Sequence, residues 1–505
     1  MVSRNKNIVR VILIASYIVI IVLIVSGIGA LFGYLNTGAD RSAMLHTELK
    51  KIEQYTPKVV WTPLTNEGRP MDEQSLNTLE NNYLDAWYVK HIAYKTNTTA
   101  GIKDYYTDSA RLNLYDMIAL NTDENITIES TTLEHHPTLN FFSEDGQLAV
   151  ITDKDVVEYK RLFRDKNMVL ETTEISTYKI VLLLEDGFWR IRHLVKVKTE
   201  DYKVEHKEIA TTNLNIQGIN YYPQATPWDM FGDPFSKDTI AKDFNIIKEA
   251  GLNTVRVFVQ YEDFEKANIN KTKLDKLKQT LDAAETAQLD VIVTLFDFYG
   301  NYDVLDWTLN RRHAETIVSA LKDHKALVGW DIKNEPNLDF ESRGKTTVMA
   351  WLDTMINLVK SVDDQNPVTI GWSNAQSATL LKDKVDFVSF HYYEDLEDLD
   401  ASIKTLQTAI PNKTLVMGEF GEPSYDGFWN PFGSNDDDQA DYHKKAQAII
   451  ATNNLQYVSW TLYDFVDIPK EVVGRLPWRK NAQKHFGFID ENGTKKASFD
   501  YISKQ

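Results

Sequence analysis

From about residue 206 to its end, the chain alternates short apolar runs of strand character with amphipathic segments of helical spacing. This alternation is typical of repeated β-α units. Eight apolar runs are present, at residues 216–222, 254–259, 291–298, 327–335, 368–372, 387–393, 414–420 and 457–465. Eight units in this length predict a (β/α)8 barrel, for which about 250 residues are typical. An open doubly wound sheet is the alternative, but residues 218–224 lack the glycine-rich phosphate loop that this fold needs.

Residues 37–205 have a different pattern and predict a separate, smaller α+β domain ahead of a barrel domain at 206–505. A helix is predicted over 73–94, where apolar residues such as Tyr83 and Trp87 recur at helical spacing. Long strands are then predicted at 148–163, 172–184 and 188–197. Asp186-Gly187, between the last two, is typical of a hairpin turn. Helices followed by long antiparallel strands resemble the cone-shaped, cystatin-like fold.

Two adjacent histidines, His135 and His136, lie within this α+β region. A metal site would need further ligands, and no third histidine or carboxylate has suitable spacing nearby. We therefore expect ordinary surface histidines at both positions.

The N-terminus carries an uncharged apolar segment over residues 11–32. Its 22 residues are enough to cross about 30 Å of hydrocarbon as a helix. Arg4, Lys6 and Arg10 precede it, which places the N-terminus in the cytoplasm and the rest of the chain outside. Residues 1–36 are thus predicted to be a cytoplasmic tip and a transmembrane anchor. A cleaved signal peptide is the alternative, but its apolar core is normally only about 7 to 15 residues long.

The charge and the composition exclude several function classes. The formal net charge of -18 would repel the phosphate backbone, so nucleic acid is not expected as a partner. The absence of cysteine excludes disulfides, thiolate metal sites and a cysteine nucleophile.

Two glutamates follow apolar strands at the position where a barrel places its active site. Glu335 ends the fourth predicted strand and Glu419 lies at the end of the seventh. These strands lie on opposite sides of the barrel, so the two carboxyl groups can face each other across its mouth. Paired carboxyl groups of this kind are what the hydrolysis of a glycosidic bond requires.

The segments around these glutamates resemble a known group of enzymes. Residues 330–337 (Trp-Asp-Ile-Lys-Asn-Glu-Pro-Asn) and 417–421 (Met-Gly-Glu-Phe-Gly) are similar to the motifs of clan A glycoside hydrolases, families 5 and 2 especially. The tail at 485–502 is similar as well. The resemblance covers residues 206–505 and implies that Glu335 is the acid/base and Glu419 the nucleophile.

The same resemblance assigns roles to five further residues. It implies that Asn334 binds the sugar 2-hydroxyl, that Arg256 keeps the nucleophile ionised, and that Trp460 forms the floor of the sugar site. His391 would support the acid/base, and Tyr393 would donate a hydrogen bond to the nucleophile. One departure concerns the end of the third strand, which reads Leu295-Phe296-Asp297-Phe298 where many family 5 enzymes have a histidine.

Other residues have weaker claims to a role. Glu422 competes with Glu419 for the nucleophile position but lies beyond the strand end. Asn435 and the acidic residues 436–438 are read as the N-terminal cap of a helix starting near Gln439, with calcium binding as the alternative. Loop aromatics are candidates for stacking on sugar rings: Trp228, Tyr299, Trp307, Trp429 and Trp478.

Taken together, the sequence predicts a membrane-anchored retaining hydrolase of a β-linked poly- or oligosaccharide, acting outside the cytoplasm with no cofactor or metal. Transglycosylation through the same covalent intermediate stays open. A non-catalytic glycan-binding or scaffold protein of an export assembly is a third hypothesis, in which the α+β domain would provide the scaffold.

Overall fold

The computed structural model of the protein describes residues 14, 16–28, 55–202, 208–427, 433–469, 472 and 477–503. Residues 16–28 are helical and exposed. The predicted anchor at 11–32 lies partly outside the described residues. The start of the predicted α+β domain, up to residue 54, lies wholly outside them. Within the described part of the chain, none of the helices combines the length and the apolar character needed to cross a membrane.

The C-terminal part of the chain is a closed barrel of eight parallel strands, which confirms the predicted (β/α)8 fold. The strands are β7 (Gln217–Asn220), β8 (Thr254–Gln260), β9 (Asp290–Asp297), β10 (Leu327–Asn334), β11 (Val368–Trp372), β12 (Val388–Tyr392), β13 (Leu415–Phe420) and β14 (Gln456–Ser459). β14 pairs with β7 and closes the barrel. The last strand is shorter than predicted, because the chain leaves the sheet at Trp460.

Helices connect most of these strands and cover the barrel. They are α4 (Lys237–Glu249), α5 (Lys271–Ala287), α6 (Trp307–Leu321), α7 (Lys345–Val362), α8 (Leu399–Ala409), α9 (Asp436–Thr452) and α10 (Pro477–Lys484). The Asn435 side chain accepts hydrogen bonds from the backbone N–H groups of Asp437 and Asp438 and so caps α9. The predicted cap is thus present, although the helix starts at Asp436 rather than near Gln439.

The N-terminal folded part packs three helices on a mixed sheet. The helices are α1 (Glu73–Thr96), α2 (Ile102–Tyr105) and α3 (Asp108–Asp123). The strands are β1 (Lys58–Val59), β2 (Glu67–Gly68), β3 (Ile126–Phe142), β4 (Leu148–Arg164), β5 (Asn167–Glu185) and β6 (Phe188–Asp201). The four long strands are antiparallel neighbours in chain order. At the predicted hairpin, Glu185 pairs with Phe188, and Asp186 and Gly187 both have positive φ.

The prediction of surface histidines is wrong for His135. This side chain is fully buried, and its Nδ1 lies 2.6 Å from Asp153 on the neighbouring strand. Its Nε2 lies 2.7 Å from the hydroxyl of Thr132. The strand pairing therefore supplies the carboxylate that the spacing along the sequence did not reveal.

The two folded parts share a continuous packed interface. The ring of Tyr159 of β4 packs against that of Trp307 of the barrel, with centroids 4.3 Å apart and the ring planes tilted by 36°. Beside this contact, Lys95 and Asp303 form an ion pair at 2.6 Å. Apolar residues of β3 and β4 belong to the same buried cluster as the barrel core. The α+β domain is thus fixed on the segment that joins β9 to α6.

Candidate active site

The carboxyl ends of the barrel strands surround a cavity of about 480 Å³. Five of the seven residues that the sequence predicts for the site line it directly: Asn334, Glu335, Tyr393, Glu419 and Trp460. Arg256 and His391 lie behind these residues and bond to them. The barrel therefore brings all seven predicted site residues together.

The two glutamates approach each other closely. One oxygen of Glu335, one oxygen of Glu419 and a ring nitrogen of His391 all lie within 4.8 Å of one another. Glu419 is buried in β13, whereas Glu335 directly follows β10 with a left-handed backbone (φ 48°). This conformation is unfavourable for a residue with a side chain, and such strain is concentrated at functional sites.

Arg256 organises the charges beneath the cavity. Its Nη1 donates to Glu419 at 2.7 Å, and its Nη2 donates to Asp331 at 2.5 Å. Only 3% of the arginine is exposed, and Asp331 is equally buried. One guanidinium thus serves as the shared counter-charge of two buried carboxylates, and its planar fork fixes the orientation of both.

His391 and Tyr393 hold the carboxyl groups from the side of β12. His391 Nδ1 lies 2.8 Å from Glu335 Oε1, and the Tyr393 hydroxyl donates to Glu419 Oε2 at 3.1 Å. Glu419 consequently receives donors on both of its oxygens, from Arg256 and from Tyr393. Two donors favour the ionised form of this carboxyl group.

Burial and local charge shift the pKa values of both glutamates. Burial raises the pKa of Glu419, and the nearby charges of His391 and Arg256 oppose this rise. Burial also acts on Glu335, but the hydrogen bond with His391 and its charge outweigh that effect and lower the pKa. The Glu335 side chain is 24% exposed, so any group that covers it would raise its pKa again.

Asn334 and Trp460 present polar groups at the cavity. The Asn334 amide oxygen accepts from Arg256 Nη2 at 2.8 Å, which leaves its NH₂ group as the end that can donate. The Trp460 indole N–H is buried and has no hydrogen-bond partner among the described residues. A buried donor without a partner is unfavourable, and a ligand in the cavity could supply the acceptor.

Asp297 is a site residue that the sequence reasoning missed. It ends β9, lines the cavity and is only 4% exposed. Its Oδ2 accepts from the hydroxyl of Tyr222 at 3.3 Å. Burial raises the pKa of Asp297 to about 7, against the opposing charges of Lys333 and Arg256. The sequence did contain a signal for Asp297, because this residue lies at the end of its strand, as Glu335 and Glu419 do.

We expect Asp297 to make the stability of the protein depend on pH. Its pKa is higher in the folded chain than in the unfolded chain, so its contribution to the free energy of unfolding is complete below about pH 4 and is lost as the pH rises through about 7. Asp297→Asn should remove this dependence and raise the melting temperature at pH 8 relative to the unmodified protein, but not at pH 4.5. Calorimetric scans at both pH values check this, and an equal shift at both would contradict it.

The predicted loop aromatics divide into three groups. Trp228 lines the cavity, and its ring lies 5.2 Å from Tyr222. Tyr299 and Trp307 are instead buried in packing contacts with Trp351 and Tyr159, so stacking on sugar is wrong for both. Trp429 and the Trp478 side chain lie outside the described residues.

Glu422 lies beyond β13 and accepts a hydrogen bond from Ser434.

Among the described residues, one group of side chains has the donor atoms and the proximity that a metal ion needs. It consists of Glu335, His391 and Glu419. The Arg256 guanidinium already places a positive charge 2.7 Å from Glu419. A metal cation at this point would be repelled by it. The expectation of a metal-free, cofactor-free site stays a prediction.

Comparison with known proteins agrees with this arrangement. The family model described as cellulase (glycosyl hydrolase family 5) matches residues 207–466, which are 260 of the 505 residues.

Similar individual proteins carry several specificities. Mannan endo-1,4-β-mannosidase 3 of Arabidopsis thaliana is 28% identical over 224 residues, which cover 35% of this chain and 50% of the plant protein. The β-glucuronidase of Chlorocebus aethiops is 23% identical over 301 residues, 56% of this chain and 43% of that protein. An exo-β-1,4-mannosidase structure from Opitutaceae bacterium strain TAV5 is 19% identical, with a TM-score of 0.48 over 59% of this chain and 60% of that one. The chain spans half or less of the length of the two curated relatives. On the match of the family model, the chain belongs to glycosyl hydrolase family 5.

Proposed function

We propose that this protein is a retaining glycosidase that cleaves a neutral β-linked poly- or oligosaccharide by double displacement. The observation that carries the proposal is the proximity of the two carboxyl groups, whose nearest oxygens lie within 4.8 Å. Retaining enzymes hold their carboxyl groups about 5 to 5.5 Å apart, whereas inverting enzymes need about 6.5 to 9.5 Å to place a water between them. The short separation in this site supports the retaining arrangement over the inverting one.

In the first step, Glu419 attacks the anomeric carbon and Glu335 protonates the departing glycosidic oxygen. The carbon–oxygen bond to the leaving group breaks, and an ester bond to Glu419 forms. Arg256 and Tyr393 stabilise the carboxylate of Glu419 before the attack. In the second step, Glu335 takes a proton from water, and the resulting oxygen nucleophile releases the sugar with its original configuration.

Substrate binding is expected to adjust the protonation of the pair. In the free site the pKa of Glu335 is lowered and that of Glu419 is raised, which is the reverse of what the first step needs. A sugar in the cavity would remove water from the partly exposed Glu335 and raise its pKa. Glu419 is already buried and keeps its two donors, so it changes less.

The charge of the cavity supports a neutral substrate. Among the described residues that line it, the Asp, Glu, Lys, Arg or His side chains are Asp297, Glu335 and Glu419, and all three bear carboxyl groups, of which Asp297 is only partly ionised near pH 7. A uronic acid would place a further negative charge beside them, without a described cation at the surface of the cavity to balance it. The β-mannosidase relative therefore suggests the first substrate to test, and the β-glucuronidase relative a poor one.

We also propose that residues 1–36 anchor the enzyme on the outer face of the cytoplasmic membrane. The uncharged segment at 11–32 and the basic residues before it support this. Such an anchor favours the processing of an exported or cell-envelope glycan over digestion of free polysaccharide.

The function is tested with residues 37–505 as a soluble protein. A panel would contain β-mannan, β-glucan, and the aryl β-mannoside, β-glucoside, β-galactoside and β-glucuronide. We expect cleavage of at least one neutral β-linked substrate, with retained configuration of the first product by NMR. Inverted product would contradict double displacement. Folded protein that cleaves no β-linked substrate would instead support the scaffold hypothesis.

Glu335→Gln is expected to separate substrates by their leaving groups. Protonation by Glu335 is needed for a sugar leaving group but not for 2,4-dinitrophenolate, which departs without a proton. We expect kcat/KM to fall about 10³-fold for the oligosaccharide and only slightly for the dinitrophenyl glycoside. Steady-state kinetics on both substrates measures the difference, and an equal loss on both would assign Glu335 another role.

A further inference from the structure

The α+β domain encloses a second cavity, far along the chain from the catalytic residues. It has a volume of about 420 Å³, which is within the range of about 300 to 1,000 Å³ that small-molecule sites occupy. Helices α1 and α3 form one side, and the faces of β3 to β6 form the other. Nothing in the glycosidase mechanism uses this space.

The charges that line this cavity are mostly positive. They are Lys90, Lys160, Arg192 and Lys196, against the single carboxylate of Glu158. This excess of cations occurs in a chain whose formal net charge is -18. The local field therefore favours an anion.

Two of the four cations are already paired. Lys160 and Lys196 lie 2.9 Å and 2.8 Å from Glu174. Lys160 also lies 3.2 Å from Glu158, which in turn accepts a hydrogen bond from the Tyr178 hydroxyl at 3.0 Å. The ion pairs and the hydrogen bond in this part of the wall form one network, which holds both lysines in place.

The other two cations have no such partner. Within the described residues, neither Lys90 nor Arg192 lies within ion-pair or hydrogen-bond distance of a carboxylate, and Glu158 acts on Lys90 only as an opposite charge at longer range. The Lys90 ammonium instead lies over the Trp87 ring, 4.3 Å from its centroid. A cation–π contact offsets only part of the cost of removing a charge from water, so an anion beside Lys90 would be stabilised.

Much of the remaining wall is apolar, although Asn113, Ser130 and His193 also line it. Leu114, Ile128, Ile191 and Leu194 line the cavity, and the exposed Met117 and Val195 lie among them. Exposed apolar side chains beside an enclosed space can cover the hydrocarbon part of a ligand. We propose that this cavity binds a small organic anion with an apolar body, its head group contacting Lys90 and Arg192.

Matched eight-carbon probes test the proposal by isothermal titration calorimetry. Octanoate and octyl phosphate carry the anionic head, octanol is neutral, and octylammonium is positive. We expect at least one anion to bind about tenfold more tightly than octanol, and no binding of octylammonium. A preference between octanoate and octyl phosphate identifies the head group as carboxylate or phosphate. Equal binding of octanol, or no anion binding at millimolar concentration, would overturn the proposal.

Variants locate the binding. Lys90→Met and Arg192→Met should each weaken anion binding about tenfold, because each removes one charge and keeps an apolar chain of similar length. Lys179→Met is the matched control, since Lys179 is exposed on β5 and does not line the cavity. Anion binding that is unchanged in both cavity variants would refute the site. The titrations can use the Glu335→Gln protein, so their outcome is independent of glycosidase activity.

Discussion

Replacing Glu419 with alanine is expected to lower kcat by about 10⁴-fold or more, since it removes the group that forms the covalent bond to the sugar. The loss should leave the fold intact, because the side chain lies at the end of β13 beside a cavity. Arg256 and Tyr393 would remain in position to hold a small anion in the vacated space. Added azide should therefore restore turnover and give a glycosyl azide of inverted configuration, which NMR detects.

Glu422→Ala is the matched control for this experiment. It removes a carboxylate three positions further along the same segment, and its present partner is Ser434. Activity close to that of the unmodified enzyme is expected. Azide rescue of Glu335→Ala with inverted product, without rescue of Glu419→Ala, would exchange the roles of the two glutamates.

Replacing Arg256 with methionine is expected to destabilise the protein by about 3–5 kcal/mol and to remove most of the activity. The guanidinium is the shared counter-charge of Asp331 and Glu419, and all three groups are buried. Its loss would leave two buried carboxylates without compensation, one of them the nucleophile. Differential scanning calorimetry, together with kinetics on an activated aryl glycoside, measures the two effects.

Three further variants identify the cause of the Arg256 effect. Asp331→Asn in the Arg256→Met background should restore part of the stability without restoring activity, because only one uncompensated charge is removed. Arg256→Lys keeps the charge but loses the planar fork, so a smaller loss of stability is expected. Arg164→Met removes an exposed arginine, with 54% of its side chain accessible, and should change stability by less than about 0.5 kcal/mol. A similar loss from Arg164→Met and Arg256→Met would show that buried charge is not the cause.

The barrel and the glutamate pair were predictable from the sequence because their signals are local. Each strand is a short apolar run, and Glu335 and Glu419 occupy the strand ends where the fold must place them together. Arg256 lies inside β8 rather than at its end, and its role was predicted from the family resemblance. Asp297 also ends its strand, at the position where many family 5 enzymes have a histidine.

What the sequence did not reveal depends on contacts between distant segments. His135 meets Asp153 only because β3 and β4 pair with several shifts of register, and no local pattern sets those shifts. Trp307 was predicted to be a loop aromatic that stacks on sugar, yet its ring packs against Tyr159 of the α+β domain. The second cavity likewise depends on how α1 and α3 lie across the sheet.

The contact between the two domains restricts the motion of one wall of the catalytic cleft. Asp303 and Trp307, which are held by Lys95 and Tyr159, follow Asp297 and Phe298 on the same connection after β9. Opening this connection would require breaking a salt bridge and separating two packed aromatic rings, so its amides should exchange slowly with solvent. A sugar would therefore meet this wall already ordered, and little conformational entropy would be lost there on binding.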